Sequence, residues 1–157
     1  MNTFDQHGFS LSNENLRYDF NLILKALDSS ASGIVITDNT LPDNPIIFCN
    51  AAFERITGYR RNEIIGHNCR FLQAQDRSQK VRETLSRAIK EGKQCTIEIR
   101  NYKKNGELFW NELYMAPVFA ADGKITHFIG VQNDITIRKR NEADLNDQKD
   151  LMEQTIV

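Results

Sequence analysis

The sequence predicts an α+β domain built on an antiparallel sheet, and three observations carry that prediction. The hydrophobic period changes from 3.6 to 2 near residue 94, so helical segments give way to strands. Asn105-Gly106 and Asp122-Gly123 are hairpin signals that join three strands as a meander. Ahead of them lie two short strand-like runs and several short helices, with a helical segment at either end.

Residues 1–11 show no period and are expected to form a loose tail. Leu16, Phe20, Ile23, Leu24 and Leu27 then fall on one helical face, with Ser12 or Asn13 as the cap. Gly33–Asp38 is β-branched and reads as a strand; Leu41-Pro42-Asp43-Asn44-Pro45 is a turn, and Ile46–Cys49 is a second strand. Asn50 caps a short helix over Ala51–Thr57, closed by Gly58. A further turn or two of helix over 62–65 ends at Gly66. Asp76 and Gln79 have capping-box spacing. The helix they would open carries Val81, Leu85, Ala88 and Ile89 on one face and stops at Gly92. The meander strands follow at about 94–103, 107–118 and 125–133, and 137–157 is polar and helix-prone with sparse apolar positions.

Composition sets the class. With 157 residues, 40% hydrophobic and 26% charged, the chain has the balance of a globular domain and can bury a core without disulfides or metal staples. Lys plus Arg number 20 against 21 for Asp plus Glu, so the net charge of -1 gives no basic field for nucleic acid. No apolar run approaches the ~20 residues of a membrane helix. The start Met1-Asn2-Thr3-Phe4-Asp5 lacks a signal-peptide pattern. Three cysteines without a C-x-x-C pair argue against a disulfide framework or a zinc site. His7, His67 and His127 have no ligand-like spacing, and no phosphate loop or hydrolase triad stands out. The expectation is a soluble, cytoplasmic, reduced protein with neither a nucleic-acid nor a membrane partner. One domain takes up most of the chain, so the sequence also predicts that it is not an enzyme: its flanks look too short for a catalytic effector.

Strand alternation supplies the first functional lead. Asn101 shares a face with Cys95, Ile97 and Ile99; Asn111 with Phe109, Leu113 and Met115; Gln132 with Phe128 and Gly130. If these faces form the core, three side-chain amides project inward from three adjacent strands. A buried amide without a partner costs roughly 1–3 kcal/mol. Two readings satisfy them: a planar ligand with a polar edge, or bonds to backbone and to one another. The opposite face, with Trp110, Tyr114, Ile125, Ile129 and Val131, is apolar enough to need a cover, which the terminal helices could provide.

The segment Gly66-His67-Asn68-Cys69-Arg70-Phe71-Leu72-Gln73 closely resembles the flavin-binding signature of LOV (light-oxygen-voltage) domains, the blue-light-sensing branch of the PAS superfamily. The resemblance extends through Leu41 to Phe48, Asn101-Tyr102, Phe109-Trp110-Asn111 and Phe128 to Asp134, in the same order, and covers roughly 30–136. It implies a PAS fold: a five-stranded antiparallel sheet with short helices enclosing a flavin pocket. It also implies that Cys69 forms a reversible thioether with a flavin ring carbon under blue light, while the neighbouring ring nitrogen gains a proton. Asn101, Asn111 and Gln132 match residues on the flavin's pyrimidine edge, and Gln132 relays the protonation to the sheet and terminal helices. Asn68 and Gln73 match contacts to the ribityl chain or ring. Val35, Thr37, Asn44, Leu72, Leu113, Met115 and Phe128 match the pocket wall, with Met115 replacing the commoner leucine. Arg70 matches the phosphate-binding arginine. Many relatives carry a second arginine seventeen positions after the cysteine, where this chain has Ser86. Arg77 and Arg82 are assigned to the phosphate instead, whereas Arg87 suits a solvated helix face.

FMN is the implied cofactor, with FAD second, and no metal is expected. The boundaries expected are 1–29 for the tail and flanking helix, 30–136 for the flavin domain and 137–157 for a helical extension. A homodimer through the terminal helices is expected, acting on an unidentified downstream protein. The alternatives are a redox or electron-transfer flavoprotein, the light-sensing fragment of a larger histidine kinase or cyclase, and an interaction module with an empty pocket.

Overall fold

Asn50 shows how the front of the chain is tied together. Its Oδ1 accepts from the Phe53 N–H at 3.1 Å and so caps the helix that follows, and it accepts from the Ile34 N–H at 2.8 Å. Its Nδ2 donates to the carbonyls of Leu27 at 2.7 Å and Ser32 at 3.0 Å. One fully buried side chain, directly after the second strand, thereby joins the first strand to two helices. In this computed structural model, which describes residues 4–8 and 12–156, those elements are α1 (Asn13–Asp28), β1 (Gly33–Asp38), β2 (Ile46–Cys49) and α2 (Ala51–Thr57). Then come α3 (Arg61–Ile64), a 3-10 helix (Cys69–Gln73), α4 (Val81–Glu91), β3 (Cys95–Tyr102), β4 (Leu108–Phe119), β5 (Ile125–Asp134) and α5 (Thr136–Thr155). Of the tail expected over 1–11, residues 1–3 and 9–11 lie outside the described residues.

The five strands form one antiparallel sheet in the order β2-β1-β5-β4-β3. The last strand of the meander is inserted beside the first strand of the chain, and this register builds the interior. Val35 lies opposite Gly130, Thr37 opposite Phe128, Leu113 opposite Gln132 and Ile99 opposite Asn111. Two apolar clusters pack on this face. One joins Val35, Ile46, Cys49, Phe53, Ile64 and Leu72; the other joins Ala88, Met115 and Phe128 with Leu85, Ile89, Cys95 and Ile125.

Three expectations are corrected. Asp76 and Gln79 do not form a capping box: Lys80 stands at the N-cap of α4 without a side-chain cap bond. Instead Gln79 brackets the Arg100 backbone, with its Oε1 accepting from the N–H and its Nε2 donating to the carbonyl, both at 2.9 Å. Ile125 does not join the outer sheet face. The register shifts at Val118/Phe119, which turns Ile125 toward α4 and against Gly92. The terminal helices cover little of the outer face. The α1 residues Leu16, Phe20 and Ile23 stay exposed, and in α5 every described residue from Asn141 onward is exposed. Among the described residues no helix is long and apolar enough to cross a membrane.

Candidate functional site

Between the two apolar clusters lies a cavity of about 130 Å³. Its walls are Val35, Leu72, Leu113, Met115 and Phe128, all named from the sequence, completed by Leu85, Ile89 and Ile99. The α4 pair was legible as an apolar helix face, but only its packing against β3–β5 shows which space it closes. Ile129, expected on the opposite face, also borders the cavity beside Gly130. A Cβ at Gly130 would stand 3.0 Å from Val35 Cγ2 and 3.8 Å from Gln132 Nε2, so its hydrogen keeps this wall open.

The three amides meet as strand alternation predicts. Asn111 Nδ2 donates to Asn101 Oδ1 at 2.9 Å and to Gln132 Oε1 at 2.8 Å, and Asn101 Nδ2 donates to the Arg100 carbonyl at 3.0 Å. The amides therefore bond to one another, yet this does not satisfy the site. Asn111 Oδ1, Gln73 Oε1, Asn44 Oδ1 and Thr37 Oγ1 are buried with no hydrogen-bond partner, and all four residues line this one cavity. Each orphan costs about 1–3 kcal/mol. An apolar chamber rimmed by three unpaired amide oxygens and one unpaired hydroxyl fits a ligand with a flat ring that carries an N–H on its edge and a chain of O–H groups, as a flavin has. The residues present therefore fit that group.

Cys69 opens the 3-10 helix, where Asn68 caps the turn by accepting from the Arg70 N–H at 3.0 Å. The thiol lines the cavity and packs against the Val35 cluster beside Tyr59 and Phe71. Burial pushes its pKa up to about 12, so it stays protonated at ordinary pH. Cys49 is buried in the core, and burial raises its pKa as well; it does not reach the cavity.

At the cavity mouth Asn68 Nδ2 donates to the Asp43 carbonyl at 2.8 Å, and the Arg70 guanidinium pairs with the Asp43 carboxylate. Arg70 and Arg77 share the recess outside that mouth with Asp43 and His67. Arg82 is not brought there. It donates to the Arg77 carbonyl and lines a neighbouring groove with Lys80, Ser86, Arg87 and Lys90. Among the sequence-predicted site residues, Arg77 and Arg82 are thus the two that do not border the cavity.

Comparison with known proteins agrees with this geometry. Residues 31–136 match the family described as PAS domain. A blue-light photoreceptor from Listeria innocua is 41% identical over 126 residues, which is 80% of this chain and 49% of that protein. A blue-light-activated histidine kinase from Brucella anthropi is 40% identical over 127 residues, 81% of this chain and 26% of the kinase. The solved LOV domain of the Erythrobacter litoralis EL346 blue-light activated histidine kinase superposes with a TM-score of 0.64 at 38% identity, covering 68% of this chain and 98% of that domain. The chain spans about a quarter to a half of the curated relatives it matches. The kinases among them overturn the non-enzyme expectation. Domains this similar are parts of enzymes, so short flanks are no argument against a catalytic effector.

Proposed function

The chain belongs to the PAS domain family, in its LOV branch, and from that premise we propose that it is the flavin-binding sensor of a blue-light photoreceptor. The observation that carries the reading is the set of four unpartnered polar atoms around one apolar cavity with a cysteine in its wall. A bound flavin supplies the blue absorption and, once excited, a ring carbon that takes a thiol sulfur reversibly. The rest is the work of the chain. Asn101, Asn111 and Gln132 orient the polar edge; Asn44, Asn68, Thr37 and Gln73 meet the remaining polar groups; Val35, Leu72, Leu113, Met115 and Phe128 exclude water. Cys69 holds a protonated thiol at the cavity wall. Arg70 and Arg77 take a phosphate at the mouth, which selects FMN, and Arg82 buttresses Arg77.

Gln132 is the residue suited to relay. Its amide can present a donor or an acceptor on the same side by turning over. Turned over, its Nε2 would face Asn111 Nδ2, donor against donor, in place of the 2.8 Å bond. A change at Gln132 therefore obliges Asn111 to move; Gln132 is on the strand that runs into α5, and Asn111 is on the neighbouring strand that packs against α5. We assign 30–136 to the sensor, 1–29 to its leading helix and 137–157 to the output helix.

The test is spectroscopic. The purified protein is expected to be yellow, to bleach under blue light and to recover in darkness. Cys69→Ala is expected to keep the colour and lose the bleaching; bleaching that persists in this variant refutes the thiol assignment.

The partner we assign to α1 is a second copy of the chain. Leu16, Phe20 and Ile23 form an exposed apolar stripe of a kind seldom left in water. Light scattering should return twice the 18.1 kDa chain mass, and Phe20→Glu should halve it. A monomeric parent protein refutes the dimer. A histidine-kinase output is the second reading, favoured by the 40% identity to kinase relatives.

A further inference from the structure

The Arg70–Asp43 pair sits where the flavin reading needs a free cation. We propose that Asp43 competes with the cofactor's phosphate for Arg70 and so sets how strongly the site prefers a phosphorylated flavin over riboflavin. The inference rests on the flavin reading above and concerns what the mouth selects.

Three observations place Asp43 in that role. The Arg70 guanidinium is paired with the Asp43 carboxylate, so the cation is already neutralised. Arg77, in the same recess, has no carboxylate partner among the described residues. Asp43 is held in place from both sides: its carbonyl accepts from Asn68 next to the reactive cysteine, and it and Asn44 adopt left-handed backbone conformations with φ of 67° and 47°. That turn projects Asn44 into the cavity and leaves the Asp43 carboxylate at the mouth.

The pair is solvent-exposed on both sides, at 43% for Arg70 and 58% for Asp43, so it is weak and open to exchange. A phosphate arriving at the mouth carries more charge than a carboxylate and can displace Asp43 from the guanidinium. It does so against the repulsion of the displaced carboxylate. Riboflavin has no phosphate and needs no exchange. Asp43 thus weakens the binding of FMN selectively, and its loop stays stapled through Asn68 whichever anion holds Arg70.

Asp43→Asn separates charge from shape, because asparagine also tolerates the left-handed backbone and keeps the carbonyl contact to Asn68. Apo-protein is titrated with FMN and with riboflavin, following flavin fluorescence at two salt concentrations. The variant is expected to bind FMN about tenfold more tightly and riboflavin within about twofold of the parent, in line with removal of one charge beside the phosphate. Its FMN affinity should also fall more steeply with salt, since Arg70 is no longer neutralised. Equal shifts for the two flavins, or none for FMN, overturn the competition. Failure of the parent protein to bind either flavin would overturn the cofactor reading itself, which keeps the two failures apart.

Discussion

Asp76, half-buried at the β3 edge of the sheet, and Asn111, buried inside the domain, are opposite cases of a polar side chain, and the difference separates stability from function. Asp76 is fully engaged. Its Oδ2 accepts from Arg100 Nε at 2.7 Å and from the Tyr102 hydroxyl at 2.8 Å, and its Oδ1 accepts from Arg100 Nη2 at 3.0 Å. Asn111 gives both amide protons to neighbours and leaves its oxygen bare. The first arrangement closes a structural joint; the second keeps an acceptor in reserve for a ligand. The joint makes a pH prediction. Arg100, then Tyr102, holds the Asp76 carboxyl at about 2, below its ordinary 3.8. The unfolded chain therefore takes up a proton there before the folded chain does. The stabilisation is complete above about pH 4 and is lost as the pH falls toward 2. Asp76→Asn should melt several degrees below the parent at pH 7, and the gap should close in melts run down to pH 2. A gap that stays constant across that range would show that the carboxylate's charge contributes nothing.

At the scale of elements, the sequence was readable wherever local chemistry decides the outcome. Asn50 and Gly58 bound α2 as read, because a cap and a left-handed stop act within a few residues. Alternation placed Asn101, Asn111 and Gln132 on one face because a strand's period leaves no other choice. The misreadings share a cause, which is a partner distant in sequence. Asp76 and Gln79 have the spacing of a cap, yet β3 offers Arg100 a better use for both side chains. Ile125 breaks alternation because a register shift, invisible in residue order, lies across the hairpin. The 3-10 helix that carries Cys69 has no hydrophobic period of its own; its geometry comes from Asn68 and the Asp43 turn. The wall residues Leu85 and Ile89 were visible as a helix face but not as parts of the site. Amphipathicity says that a face is buried, not what it is buried against. Resemblance assigns Arg82 to the phosphate, but in the folded chain it lines the groove along α4, which it shares with Arg77, and does not reach the recess at the cavity mouth.

For the whole molecule the question is how a change at the cavity reaches α5, and the outer sheet face holds the link. Gln132 is two residues from Asp134, whose Oδ1 accepts from the Thr136 N–H at 3.0 Å. Trp110 then ties the junction to β4: its N–H donates to Thr136 Oγ1 and its carbonyl accepts from the Ile135 N–H, both at 2.9 Å. Lys139 Nζ lies 5.0 Å from the centre of the Trp110 ring and pairs with Glu98, and Arg138 Nη2 donates to Glu98 at 2.6 Å. Beyond this first turn α5 is exposed, so a small patch around Glu98 fixes the direction of the whole helix. Each exposed pair is weak alone, but Glu98 serves two cations, and Lys139 before Arg138 holds its carboxyl below the usual range. Glu98→Gln removes the charge without changing the shape. Hydrogen exchange over 136–142 should rise about fivefold in the dark, the equivalent of ~1 kcal/mol. Illumination, which loosens this turn in the parent protein if Gln132 acts as the relay, should then add little in the variant. Two results would break the argument at different points. Unchanged dark exchange in Glu98→Gln would mean that the ion pairs do not hold α5. A full light response in that variant would mean that the signal leaves the sheet by another route.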